Sequence, residues 1–225
     1  MNAIVDEARW RSTHAELLAQ EKAMTRELDR LAAERRRLPW MRVEKSYRFT
    51  GPDGETDFEG LFDGRSQLIV YHHMLKPNDP APCPGCSMVG DHMPHLAHLN
   101  ARDVTLAFVA VAPSLEIEAY KRRMGWTMSF YQSTDSFGPD FGIHGGFGLN
   151  VFLRTGDGIM RTYYTSYRGV ETLGTPMTLL DLTPYGRQES WQDAPEGVAQ
   201  DAPYLWWRRH DEYDAHPSAP SAAGR

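Results

Sequence analysis

The reactive residue types of this chain concentrate in Cys83-Pro84-Gly85-Cys86, which holds both cysteines of a 225-residue sequence. Two thiols at this spacing suit a reversible dithiol/disulfide centre, in which one sulfur attacks and the other resolves the intermediate. With cysteine used nowhere else, the pattern argues against a structural disulfide framework. A cysteine at the start of a helix faces unpaired backbone N–H groups, which favour thiolate over thiol. Metal binding is the competing chemistry for the pair, and a purely structural role is the plain alternative.

Histidines and methionines surround the motif. His72, His73 and Met74 precede it, and Met88, His92, Met93, His95 and His98 follow. A protonated histidine near a cysteine sulfur would lower the thiol pKa and serve as acid or base in exchange, so His72 and His73 are candidates for that tuning role. Cys83, Cys86, His92 and His95 also form a four-donor string that suits zinc, and the added methionines suit copper. Taken singly, each histidine reads more simply as an ordinary surface or core side chain.

The elements around the motif follow from composition. Gln67 to His72 is a continuous apolar run after the turn cluster Asp63-Gly64-Arg65-Ser66, and reads as a central strand buried on both faces. Three prolines between Leu75 and Pro82 keep the next segment extended. Pro84 suits the first turn of a helix, where its missing N–H costs nothing. That helix is expected to run to Asn100, with Met88, Met93, Leu96 and Leu99 facing the core and Pro94 kinking or splitting it. Val104 to Val111 reads as a second strand ended by Pro113. Ser114 is the expected N-cap of a helix with Ile117 and Tyr120 inward and Gly125 just past its end. Residues 149–154 and 158–164 flank a glycine-containing turn as a hairpin. A last short helix is expected over 178–182. A parallel βαβ unit bearing the dithiol, then a hairpin and a helix, gives an α/β, thioredoxin-like order: a central mixed sheet flanked by helices.

The strings Cys83-Pro84-Gly85-Cys86-Ser87, Asn100-Ala101-Arg102-Asp103-Val104-Thr105, Tyr120 to Trp126, Asp140-Phe141-Gly142 and Leu180 to Arg187 look like one bacterial family. It is a thioredoxin-like family of largely uncharacterised proteins, usually described as predicted dithiol–disulfide oxidoreductases, and the resemblance covers roughly residues 10 to 212. It implies that Cys83 attacks and Cys86 resolves, with no cofactor beyond the redox-active disulfide and a disulfide or peroxide as substrate. Ordinary thioredoxins place a cis-proline before the hairpin strand, against the dithiol. Here the matching stretch, Gly146-Phe147-Gly148-Leu149-Asn150, has none, which leaves room for peroxiredoxin-like chemistry or metal handling.

The remaining segments bound the protein. The formal charge of −6, with both signs interspersed, does not suggest a nucleic-acid partner. No stretch approaches the roughly 18–20 apolar residues a membrane span needs, and no secretory signal is visible, so a cytoplasmic location is expected. Residues 1–40 form a helical extension, 41–213 the thioredoxin-like domain, and 214–225 a disordered tail rich in Pro, Ala, Ser and Gly. In the extension, Leu17, Met24, Leu28 and Leu31 make an apolar stripe that either packs on its own domain or pairs with a second copy as a homodimer. Ser129 to Gly148 is expected to be a long loop, with Trp126, Phe130, Tyr131, Phe137 and Phe141 as an apolar wall beside the dithiol or a secondary core, and Asp135 or Asp140 as a possible buried carboxylate. The aromatic segment Tyr204 to His210 docks on the body, or forms a lid or partner surface.

Overall fold

The apolar run Gln67–His72 is the centre of the sheet in the computed structural model, which describes residues 3–133 and 136–213. Asp135 and the tail from Asp214 lie outside the described residues. The strands are β1 (Met41–Arg42), β2 (Arg48–Gly51), β3 (Gly54–Asp57), β4 (Gln67–His72), β5 (Val104–Ala110), β6 (Ser129–Ser133), β7 (Gly148–Thr155) and β8 (Gly158–Ser166). The helices are α1 (Glu7–Arg36), α2 (Pro84–Asp91), α3 (Ala97–Asn100), α4 (Ser114–Arg123), α5 (Phe137–Asp140) and α6 (Thr175–Asp181).

β4 pairs parallel with β5, from Gln67 opposite Val104 to His72 opposite Val109, and antiparallel with β7. β7 turns into β8 through the hairpin at Gly156-Asp157. The full order is β1-β8-β7-β4-β5-β6-β2-β3. Within it, β8-β7-β4-β5, with only β7 reversed and α2 leaving the end of β4, is the thioredoxin-like arrangement. Side chains alternate along β4. Tyr71 joins the core beneath α2 and α4 with Cys86, Phe108, Ile117 and Trp126, and Leu68 and Val70 join Phe49, Phe62, Phe137 and Phe152 on the opposite face.

Pro94 splits the stretch into α2 and α3, one of the two outcomes expected of it. Several other expectations are corrected. Pro113, not Ser114, is the N-cap of α4, and the Ser114 N–H instead reaches Gln132 Oε1 at 3.1 Å. The first part of the expected loop after Met128 is β6, parallel to β5, with Phe130 in the core. The hairpin β2–β3 extends the sheet from β6. α1 carries no buried residue. Leu17, Met24 and Leu28 are 53%, 60% and 54% exposed and only Leu31, near the end of the helix, is half-buried, so most of the stripe does not pack on its own domain.

Candidate functional site

Cys83 ends the extended, proline-rich segment and is the N-cap of α2, with Pro84 in the first helical turn. Its Sγ accepts the Cys86 backbone N–H at 3.3 Å. Ser87 fixes the turn from inside: its hydroxyl donates to the Cys83 carbonyl at 2.8 Å and lies 2.6 Å from the Tyr120 hydroxyl. Both cysteines are unbonded, Cys83 half-buried and Cys86 buried.

The two sulfurs are electrostatically unequal. The Cys86 thiol hydrogen-bonds the Cys83 sulfur, and the Cys86 and Gly85 backbone N–H groups add to it. Together they outweigh burial and pull the Cys83 thiol down to about 6. Cys86 goes the other way: the neighbouring Cys83 thiolate and its own burial push it well above the ordinary thiol range. Behind the pair stands Tyr71. Burial, then the charge of Cys86, a loose contact of the hydroxyl with the Cys86 sulfur and the charge of Cys83 hold its phenol protonated; the hydroxyl makes no hydrogen bond of ordinary geometry.

Trp207 closes one side of the motif. A Cβ built on Gly85 would lie 2.4 Å from Trp207 Cζ3, so glycine here is what lets the indole lie against the turn between the cysteines. The strap carrying it, residues 204–213, is tied down at several points. Arg209 donates to the Pro82 carbonyl at 2.7 Å, directly before Cys83. Arg123 of α4 binds Asp211 at 2.7 Å and Glu212 at 3.1 Å, and His210 meets Asp91 of α2 at 2.9 Å. The fully buried Glu189 carboxylate accepts from Trp191 Nε1 at 2.6 Å, Trp206 Nε1 at 2.9 Å and the Tyr204 N–H at 2.9 Å. Between strap, dithiol and the segment 167–177 lies an apolar cavity of about 500 Å³.

The other residues singled out in the sequence lie elsewhere. His72 stacks on Phe137 and its Nε2 is 3.1 Å from Asn150 Nδ2, while His73 sits among Phe108, Tyr120, Trp126 and Phe130 with Nδ1 accepting the Leu75 N–H. Burial holds both imidazoles down to about 3, Arg161 adding to the effect at His72. Among the described residues no histidine hydrogen-bonds either sulfur, and neither His72 nor His73 is among the groups that shift the two thiols. The zinc or copper string does not assemble either. His92 Nδ1 lies on the Met88 carbonyl at 2.6 Å, His95 Nδ1 accepts the Ala97 N–H, and no group of three or more His, Cys, Asp or Glu among the described residues is arranged to hold a metal ion. The split at Pro94 takes His95 out of the helical register of Cys86 and His92.

Trp126 and Phe130 belong to the core that holds Cys86, and Phe137 and Phe141 to the core on the other face; none of them walls the dithiol cavity. Asp140 is not a buried carboxylate: it pairs with Lys45 at 2.6 Å and accepts from the Tyr47 hydroxyl at 2.9 Å near the surface. The strap both docks and borders the dithiol. Glu189, its buried anchor, carried no signal in the sequence, since nothing local marks a carboxylate that three distant donors will enclose.

No helix among the described residues is long and apolar enough to cross a membrane. Across known proteins, the model of a bacterial protein family of unknown function, DUF899, matches residues 1–213. No curated protein matches the sequence. Among solved structures, the mitochondrial 2-Cys peroxiredoxin from Plasmodium falciparum aligns at 14% identity over 61% of this chain and 90% of its own, with a TM-score of 0.40. A putative thiol:disulfide interchange protein DsbE from Chlorobium tepidum aligns at 12% over 63% and 97%, with a TM-score of 0.41. A yeast mitochondrial 1-Cys peroxiredoxin aligns at 16% over 70% and 84%, with a TM-score of 0.40. With scores this low, the fold rests on the strand order itself.

Proposed function

The chain belongs to this bacterial family of unknown function, and from that premise we propose that Cys83 and Cys86 are a redox-active dithiol that reduces disulfides or peroxides. The inequality of the two thiols carries the reading. Cys83, at the N-cap, accepts a backbone N–H and is held as thiolate near neutral pH, while Cys86, one turn on, is buried and held protonated. The half-buried, acidic thiol attacks and the fully buried, protonated one waits. With a disulfide, the Cys83 thiolate displaces one thiolate and forms a mixed disulfide; Cys86 then attacks the Cys83 sulfur, loses its proton to the departing thiolate, and closes the Cys83–Cys86 bond. The reading suits a reducing compartment such as the cytoplasm, where the pair returns to the dithiol between turnovers.

Cys86→Ser should trap a mixed disulfide on Cys83, seen by mass spectrometry of the alkylated protein, and Cys83→Ser should abolish turnover. Adducts that accumulate on Cys86 would reverse the roles. Near-stoichiometric copper or zinc in protein purified without a tag, lost with Cys83→Ser, would replace redox catalysis by a metal carrier or sensor.

We also propose that α1 pairs with a second copy of the chain. None of its 30 residues is fully buried and only Leu31, Ala32 and Ala33 are half-buried, whereas most helical stability comes from packing an apolar face. Light scattering should give a dimer for the full chain and a folded monomer for residues 41–225; equal masses per chain in both would end this proposal.

A further inference from the structure

The cavity beside the dithiol is apolar, closed on one side by the strap, and of a size for a small organic molecule. It is walled by Phe147, Val170, Met177, Leu205 and Trp207, with Cys83 and Tyr71 also on its surface. The charged groups at its edge are engaged with one another and with backbone. Glu171 binds Arg187 at 3.2 Å and Arg168 at 3.5 Å, and Arg208 donates to the Leu205 and Trp207 carbonyls. Its volume of about 500 Å³ falls within the range of small-molecule sites. A water occupies about 30 Å³ of liquid, so hydrogen peroxide would leave most of the space empty.

A second observation bears on the occupant's chemistry. Among the described residues, four buried side-chain polar atoms lack a hydrogen-bond partner, and two of them, Tyr71 Oη and Trp207 Nε1, belong to residues that line this cavity. Buried donors left unpaired are costly and rare, and a ligand acceptor is one way such a group is satisfied. Oxygen accepts such bonds well and sulfur only weakly. Trp207, packed against Gly85, takes up part of the surface by which a folded protein's disulfide would approach the turn between the cysteines.

Resting on the reading of Cys83 as the nucleophile, we infer that the substrate is an organic hydroperoxide with an apolar alkyl or aryl body. The body lies against the walls of the cavity and the peroxide oxygens lie toward Cys83. The Cys83 thiolate attacks the distal oxygen. The O–O bond breaks, Cys83 becomes a sulfenic acid, and the alkoxide takes a proton from water to leave as the alcohol. The Cys86 thiol then attacks the Cys83 sulfur, the hydroxyl departs with the Cys86 proton as water, and the disulfide forms. Two thiols thus supply the two electrons that reduce one hydroperoxide, and an external dithiol restores the pair.

Stopped-flow tryptophan fluorescence of the pre-reduced full-length protein tests this, with cumene hydroperoxide, hydrogen peroxide and an aromatic disulfide as oxidants. Each rate is divided by that of dithiothreitol with the same oxidant at the same thiolate fraction. Cumene hydroperoxide should lead hydrogen peroxide by at least about tenfold, the ratio that burial of about two methylene groups provides. Val170→Phe, which fills the cavity, should bring the ratio toward one. Tyr71→Phe, which removes a hydroxyl held only by a loose contact with the Cys86 sulfur and should fold, should slow cumene hydroperoxide more than hydrogen peroxide. A ratio near one in the parent protein, or an unchanged ratio in Tyr71→Phe, overturns the inference. Reaction with the disulfide but with neither peroxide also overturns it, and leaves the dithiol reading intact. No reaction with any oxidant overturns the dithiol reading as well.

Discussion

The inequality of the two cysteines predicts how the protein's reactivity changes with pH. The Cys83 thiol is held at about 6, and Cys86 stays protonated throughout the neutral range. A lowered pKa raises the thiolate fraction but weakens the nucleophile. At pH 7 a thiol at about 6 is about 90% ionised and one at about 8.5 is about 3% ionised, a gain near thirtyfold. With a Brønsted slope of about 0.45, the drop of about 2.5 units removes about thirteenfold of it, leaving about twofold. The absolute rate at pH 7 is therefore a poor test, and burial of the sulfur would obscure it further.

The ratio of the protein's own rates at two pH values is free of both effects. From pH 7 to pH 5 the thiolate fraction of Cys83 falls about tenfold, whereas that of an ordinary thiol falls about a hundredfold. The reaction with 2,2′-dithiodipyridine, followed by thiopyridone release, reads this ratio directly. Cys86→Ala should raise it, because the Cys86 thiol is the largest cause of the lowered value. It should not reach a hundredfold, because the Cys86 and Gly85 N–H groups remain. A parent ratio near one hundred, or a Cys86→Ala ratio at or below the parent's, would refute the account of why Cys83 is acidic.

The buried histidines give a second pH effect. His72 and His73 are held at about 3 against about 6.5 in an unfolded chain, so between these values the unfolded state binds more protons and stability falls as pH falls. At pH 5 the loss is about 2 kcal/mol for each histidine relative to pH 7.5; urea unfolding in a Cys83→Ser background measures it, and equal stability at the two pH values would show that the rings are not held neutral. Gly85→Ala should displace Trp207 and speed alkylation of Cys83, and it should do so much less in a Trp207→Ala background; additive effects would mean that the two do not touch. Glu189→Gln should cost about 2–3 kcal/mol and also expose Cys83, read from thermal unfolding and from the alkylation rate; an unchanged alkylation rate would separate the strap from the site.

The half of the site near Cys83 was legible because its determinants are local. A continuous apolar run made β4 a central strand, and Pro84 fixed the start of α2, so the cysteines' position at a helix N-terminus followed from adjacent residues. The segment Ser129–Ser133 hid β6 because it is short, polar at both ends and only partly buried, and its strand character comes from pairing with β5. The histidines misled for a related reason. His72 and His73 adjoin the motif in sequence, but one faces each side of the sheet, and each ring ends in an aromatic cluster contributed by distant residues. Trp207 and Gly85 are far apart in the chain, and no spacing rule joins an indole to a missing Cβ.

The strap's fastenings differ in strength, and this decides which of them holds Trp207 in place. The pairs of Arg123 with Asp211 and Glu212 are conspicuous, but all three side chains are about a third or more exposed, and such pairs contribute about 0–1 kcal/mol each. His210 on Asp91 is likewise half-exposed and depends on protonation. Glu189 is different in kind. It is fully buried, and its charge is compensated by three N–H donors, two of them from strap residues Tyr204 and Trp206. Lifting the strap would exchange two of those charge-assisted bonds for bonds to water, a cost on the order of 1.5–3 kcal/mol each. The register of the strap over Gly85 is therefore set from Glu189, and the ion pairs on α4 trim its far end. If that ordering holds, Arg123→Ala should leave the reactivity of Cys83 nearly as it is, while Glu189→Gln should change it.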